Sequence, residues 1–147
     1  MTAPLPPMAR LTDAFAAAAQ PDAESLAQLA AAGFRTLICN RPDDEVPPGE
    51  RAADMQAAAQ AAGMAFAQVA VPHGPITPDL LEAEIAALRD LPGPHFAYCA
   101  AGIRAALIWA FASAGRIPTD DIMDALANAG LAMPGLRSQI DMLAAAR

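Results

Sequence analysis

Three short apolar runs recur along the chain, each followed by a polar or proline-marked break: Phe34–Cys39, Met64–Val71 and His95–Cys99. Runs of this length, bounded by turn signals, predict strands buried on both faces. Leu11 to Ala18 reads as a further strand, although alanine is a poor strand former. Helical spacing fills the intervals. Pro21-Asp22 opens a helix through Leu26, Leu29 and Ala30 that Gly33 ends, and Glu50 to Ala62 forms another, ended by Gly63. Thr77 is placed to cap a third, with Pro78 at its first position and Asp79 against the dipole. That helix is expected to bury Leu81, Ile85 and Leu88 and to end near Pro92-Gly93. Ile103 to Ala114 puts Ile103, Leu107, Ala110, Phe111 and Ala114 on one face. Pro118 to Asn128 and Pro134 to Ala146 close the chain as helices expected to cover one face of the sheet.

Strands alternating with helices predict an α/β fold in three layers: a parallel sheet of four strands, or five, with helices on both sides. Residues 1–9 hold three prolines and read as a loose tail, leaving 10–147 as a single domain. In such sheets ligands bind beyond the carboxyl ends of the strands. The loops 40–49, 72–76 and 99–104 therefore compete for the site.

Composition narrows the chemistry. Net charge is −7 and all nine basic residues are arginine, which argues against nucleic acid or an anionic membrane as partner. An anion would be caught by backbone dipoles and a few arginines. There is no run of 18 apolar residues and no basic start followed by an apolar block, so neither a membrane span nor a signal peptide is expected. Two cysteines, Cys39 and Cys99, imply no disulfide framework, and a cytoplasmic location fits.

The stretch Tyr98-Cys99-Ala100-Ala101-Gly102-Ile103-Arg104 concentrates the candidate chemistry. Cys99 falls where a strand ends and a tight loop enters a helix. The first helical turn leaves backbone N–H groups unpaired and carries partial positive charge. A loop around that point is an anion cradle. The same field favours thiolate over thiol and makes the sulfur nucleophilic. Arg104 closes the loop with a planar fork of donors, and Gly102 lets the backbone bend. Cys99 and Arg104 are the catalytic candidates. The backbone of Ala100, Ala101, Gly102 and Ile103 supplies anion contacts.

Two side chains outside the loop join as candidate anion contacts. Arg41 lies past the second confident strand, where it would line the cavity or pair with Asp43 to brace its loop. His73 lies in the turn after the next strand and is otherwise a surface histidine. Asp43, Asp44 and Glu45 share one loop with no His or Cys nearby, so a solvated acidic loop is expected, with no metal and no cofactor. His95 sits at the opposite end of its strand from the site and reads as structural. Cys39 reads as a packing residue, or as a resolving thiol if close to Cys99. Tyr98 and Trp109 read as core.

These residues carry a resemblance. Gly33-Phe34, Asn40-Arg41-Pro42-Asp43, Gly63-Met64, Pro75-Ile76-Thr77-Pro78, and Tyr98-Cys99 with Gly102 and Arg104 resemble the bacterial beta-lactamase-hydrolase-like family. The likeness runs from about residue 10 to residue 130. It implies a dual-specificity-phosphatase-like fold and a link to sulfide and persulfide metabolism, with a sulfide-oxidising enzyme as a partner. The family's loop usually reads Cys-Arg-Ser-Gly-Thr-Arg-Ser. Here Ala100, Ala101 and Ile103 replace polar side chains, and Ala105 lacks the hydroxyl after the arginine.

Four residues separate Cys99 from Arg104, one fewer than in the tyrosine phosphatases of this fold and as in rhodaneses. That spacing, with no carboxylate in the turn around His73, favours a rhodanese-like sulfurtransferase with a persulfide on Cys99. The alternatives are a dual-specificity-like phosphatase and a catalytically weakened accessory module. The expected ligand is a small anionic sulfur donor or a phosphate ester.

Overall fold

The computed structural model describes residues 5–147. In chain order its elements are β1 (Ala9–Thr12), β2 (Phe15–Ala19), α1 (Leu26–Ala31), β3 (Thr36–Cys39), α2 (Ala52–Ala61), β4 (Ala65–Gln68) and α3 (Pro78–Asp90), then β5 (His95–Cys99), α4 (Ile103–Ser113), α5 (Thr119–Asn128) and α6 (Arg137–Ala145). Short 3-10 turns at Ala23–Ser25, Asp43–Glu45 and Pro134–Leu136 lead into or link these elements. Residues 1–4 of the expected tail lie outside the described residues, and Ala9, its last residue, already belongs to β1.

The sheet has five strands in the order β1-β2-β5-β3-β4. β2, β5, β3 and β4 are mutually parallel, as expected. The expectation of a wholly parallel sheet is corrected at one edge, where β1 runs antiparallel to β2. The single strand read over Leu11–Ala18 is in fact this hairpin. The Ala14 N–H donates to Thr12 Oγ1 at 3.0 Å, so Thr12-Asp13-Ala14 reverses the chain by local polar chemistry. Alanine serves in β2 because the strand is covered on both faces, where small side chains let helices approach. Phe15 at its start stacks on Trp109 of α4 with ring centroids 5.7 Å apart.

Side-chain alternation splits the core in two. Phe15, Ala17, Ile38, Ala97 and Cys99 face α4, α5 and α6, which bring Trp109, Ile122, Leu126 and Ile140. Ala16, Leu37, Cys39, Phe96 and Tyr98 face α1 and α2, which bring Leu26, Leu29, Met55 and Ala59. Of the helices on this side, α4 lies on β2 and β5, α5 meets the edge strand β1, and α6 packs on α4 and α5, so the expectation that the last two helices cover the sheet holds only for α5 at its edge. Every residue of β5 is buried, and the strand lies between β2 and β3.

Two burial expectations are corrected. On α3, Thr77 Oγ1 accepts the Leu80 N–H at 3.3 Å and caps the helix as predicted. Yet Leu81, Ile85 and Leu88 are only half-buried, and the buried positions are Glu84 and Ala87. The helix turns a carboxyl inward because Asn40 waits there with a donor. On α4, Ile103 is 52% exposed, since the first turn buries Arg104, Ala105 and Ala106 and leaves the Ile103–Leu107 side outward.

Candidate active site

β5 delivers Cys99 to the carboxyl end of the sheet, and α4 begins four residues later at Ile103. Gly102 makes the turn possible. Its φ is +89°, and a Cβ there would stand 3.2 Å from the carbonyl carbon of Ala18 in β2. Its N–H donates to Cys99 Sγ at 3.1 Å, which folds the loop back over the sulfur. The first intrahelical bond runs from the Ala106 N–H to the Gly102 carbonyl at 3.0 Å. Ile103, Arg104 and Ala105 therefore lack carbonyl partners a turn behind them. These N–H groups are the donors an anion cradle requires, and the exposed residues of the loop beside them are apolar: Ala100, Ala101 and Ile103.

Arg104 is 8% exposed and makes three hydrogen bonds. Nη1 donates to Glu45 Oε2 at 2.8 Å and to the Val71 carbonyl at 2.6 Å. Nη2 donates to Glu45 Oε1 at 2.8 Å. Glu45 thus meets the fork end-on. Nε–H and the second Nη2 hydrogen lie outside these three bonds, and the Cys99 sulfur is close enough to act on the guanidinium. Glu45 holds the guanidinium strongly protonated, and the Cys99 sulfur adds a smaller attraction. Reciprocally, Arg104 first, then His73 and Arg41, keep the Glu45 carboxyl below its ordinary range.

The acidic loop is therefore not simply solvated. Glu45 is a site residue that sequence reasoning missed. The available signal was a lone buried arginine in an acidic chain, which must find a carboxylate. Asp43 instead takes the Ala52 N–H on Oδ1 at 2.9 Å and tethers its loop to the start of α2. The suggested Arg41–Asp43 brace does not form. Arg41 braces the loop through other partners, donating to Gln20 Oε1 at 3.0 Å and to the Glu45 carbonyl at 3.2 Å. Its Nε lies 3.7 Å from Glu45 Oε1, an ion-pair distance without a hydrogen bond. Arg41 thus braces the loop with two of its five N–H donors. His73 is exposed and lies near Glu45.

Cys39 is not a partner for Cys99. It pairs in register with Tyr98, so its thiol shares the Tyr98 face, while Cys99 points into the opposite core layer. Burial pushes the Cys39 thiol up, and its sulfur donates to the Arg41 carbonyl at 3.3 Å. His95 lies at the far end of β5 with Nε2 on the Leu91 carbonyl at 3.0 Å, a structural place as expected. A groove of about 570 Å³ between α3, α4 and α6 is lined by Ile76, Leu81, Phe111 and Met142 and includes neither Cys99 nor Arg104. The chemistry, not the cavity, selects the site.

Residues 8–116 match the family described as beta-lactamase hydrolase-like protein, phosphatase-like domain. A beta-lactamase hydrolase-like protein of Agrobacterium fabrum is 33% identical over 117 residues, covering 78% of this chain and 27% of the relative. The chain thus spans about a quarter of the length of the curated relatives it matches. A candidate phosphatase from Neisseria meningitidis superposes with a TM-score of 0.70 at 30% identity, over 91% of this chain and 96% of that one. A second, from Shewanella putrefaciens, gives a TM-score of 0.74 at 17% identity, over 97% and 93%, and speaks to the fold alone. These likenesses support the phosphatase side of the expectations and lend none to the rhodanese-like reading. Among the described residues no helix is long and apolar enough to cross a membrane.

Proposed function

The chain belongs to the family of beta-lactamase hydrolase-like proteins, in its phosphatase-like domain, and from that premise we propose that it is a cysteine-dependent phosphatase acting on small phosphate monoesters. One observation carries the reading: Glu45 clamps Arg104 end-on through Nη1 and Nη2, which leaves Nε–H and the second Nη2 hydrogen out of that pairing, with the Cys99 sulfur close enough to act on the guanidinium. Those two hydrogens are parallel donors suited to two oxygens of one phosphoryl group. The N–H groups of Ile103 to Ala105 supply fixed dipoles for the charge that builds there in the transition state.

The reaction runs in two displacements. The Cys99 thiolate attacks phosphorus, an S–P bond forms, and the P–O bond to the leaving group breaks. The departing oxygen takes a proton. Glu45 is held ionised by Arg104 and is unsuited to give one, which leaves His73 or water. Water then attacks phosphorus, the S–P bond breaks, and inorganic phosphate leaves with the thiolate restored. Esters of acidic alcohols such as phenols suit this site, because they leave with little help from an acid.

A second reading, sulfur transfer, keeps two specific observations in its favour: only four residues lie between Cys99 and Arg104, and Ala105 brings no hydroxyl to the sulfur. A test of the first reading is hydrolysis of an aryl phosphate by the wild type, Cys99→Ser and Arg104→Lys. Abolition in the first variant, and a loss of about 10²-fold or more in the second, is the expected result. Equal rates in wild type and Cys99→Ser would refute it.

A further inference from the structure

Glu84 is fully buried on α3, and Asn40 is fully buried just past β3. Asn40 Nδ2 donates to Glu84 Oε1 and to the Val69 carbonyl, both at 3.0 Å, so both amide hydrogens are used. The two remaining oxygens of the pair, Asn40 Oδ1 and Glu84 Oε2, are buried with no donor. Two orphaned acceptors on two side chains already bonded to each other lack one hydrogen between them. We propose that Glu84 is held protonated, with its hydrogen on Oε2 donated to Asn40 Oδ1, and that this neutral pair is the positioning element for Arg104.

Asn40 is the junction through which the pair reaches the site. Its N–H donates to the Tyr98 carbonyl at 2.8 Å, one residue before Cys99, and its carbonyl accepts the Val71 N–H at 2.9 Å. The Val71 carbonyl in turn takes Arg104 Nη1. The chain leaving Asn40 forms the loop that carries Glu45, the other Arg104 partner. All three Arg104 hydrogen bonds therefore end on segments that Asn40 holds.

The surroundings favour the neutral acid. From β3's end Glu84 meets Asn40, and the segment after β4 presents the Val69 carbonyl to the same amide. On α4, the helix packed against α3, the Arg104 charge is committed to Glu45. The charged residues of α3 itself, Asp79, Glu82, Arg89 and Asp90, are exposed. No charged side chain acts on Glu84; burial pushes its carboxyl up to about 7, opposed only by the Asn40 hydrogen bond. Deprotonation would leave a buried carboxylate without a counter-ion and two oxygens without donors.

The positioning role rests on the anion-site reading above; the protonation does not. Glu84→Gln supplies both a carbonyl and an N–H at every pH, so it mimics the neutral acid. Urea midpoints are measured from pH 5 to 9 in wild type and Glu84→Gln. Sulfate dissociation constants are measured over the same range in Cys99→Ser with and without Glu84→Gln, which removes the thiol's own titration. The expected result is a stability loss in wild type through neutral pH that Glu84→Gln abolishes. Sulfate affinity should weaken several-fold from pH 6 to 8.5 in Cys99→Ser and stay flat in the double variant. An infrared band of a buried protonated carboxyl that fades through the same range in wild type needs no variant. Identical stability profiles with and without Glu84→Gln, or the lack of that band, would overturn the protonation. Removal of the stability step with an unchanged sulfate profile would overturn the positioning role alone. Sulfate binding at no pH would sink the anion-site reading and the positioning role together.

Discussion

Glu45 and Arg104 lie 59 residues apart in the chain and meet through two parallel hydrogen bonds of 2.8 Å. The pair occupies the Nη1–Nη2 end of the guanidinium and leaves Nε–H outside it. Glu45→Gln should keep the fold but leave a largely buried cation short of its counter-charge. A loss of about 1–3 kcal/mol in stability is expected, read from urea midpoints, with a fall in aryl phosphate turnover at near-constant KM. Unchanged turnover would deny Glu45 a part in aligning Arg104.

The same pair has an acid signature. Arg104 holds the Glu45 carboxyl below its ordinary range, so the folded state binds that proton more weakly than the unfolded chain. This contribution is complete above the unfolded carboxyl's pKa, about 4.5, and is lost as pH falls through the lower folded value. Thermal midpoints should drop more steeply in wild type than in Glu45→Gln below that pH. Parallel profiles would contradict the linkage.

Gly102→Ala tests the turn. Alanine at φ +89° costs about 1–2 kcal/mol, and its Cβ meets Ala18 at 3.2 Å. The loop should shift and take its N–H away from Cys99. Activity is expected to fall by more than the stability loss alone explains, with the sheet intact by circular dichroism. Full activity in a folded variant would mean that this geometry is not required.

The two thiols should react differently. Cys39 donates to the Arg41 carbonyl, and burial pushes its thiol up. Cys99 accepts the Gly102 N–H at a helix start. Iodoacetamide near neutral pH should label Cys99 first, about ten-fold faster, as read by mass spectrometry of tryptic peptides. Preferential labelling of Cys39 would contradict the assignment of the nucleophile.

Much of this arrangement is legible in the sequence because it is local. A strand ending at Cys99, a glycine bend and a helix opening at Ile103 follow from short-range pattern and turn chemistry. So does the cap at Thr77. What the sequence hides is pairing at a distance. An alanine-rich stretch gives no period that separates one strand from a hairpin, so β1 and β2 merge until Thr12 shows the turn. Glu45 reads as one more acid in an acidic loop, because its partner lies 59 residues away. Glu84 falls beside Leu81 and Leu88 by helical spacing, but the partner that lets its carboxyl be buried, Asn40, lies 44 residues away. Relative orientation across the sheet was equally hidden: Cys39 and Cys99 end adjacent strands but face opposite layers.

The central claim is that Cys99 takes up a phosphoryl group held by Arg104. The most direct measurement is acid quenching of the protein during turnover of an aryl phosphate, followed by intact and peptide mass spectrometry. The account predicts a phosphoryl adduct on Cys99 that forms within the first turnover and is missing in Cys99→Ser. No adduct and no hydrolysis, together with gain of one cyanide-reversible sulfur on Cys99 after thiosulfate, would contradict it and assign the site to sulfur transfer.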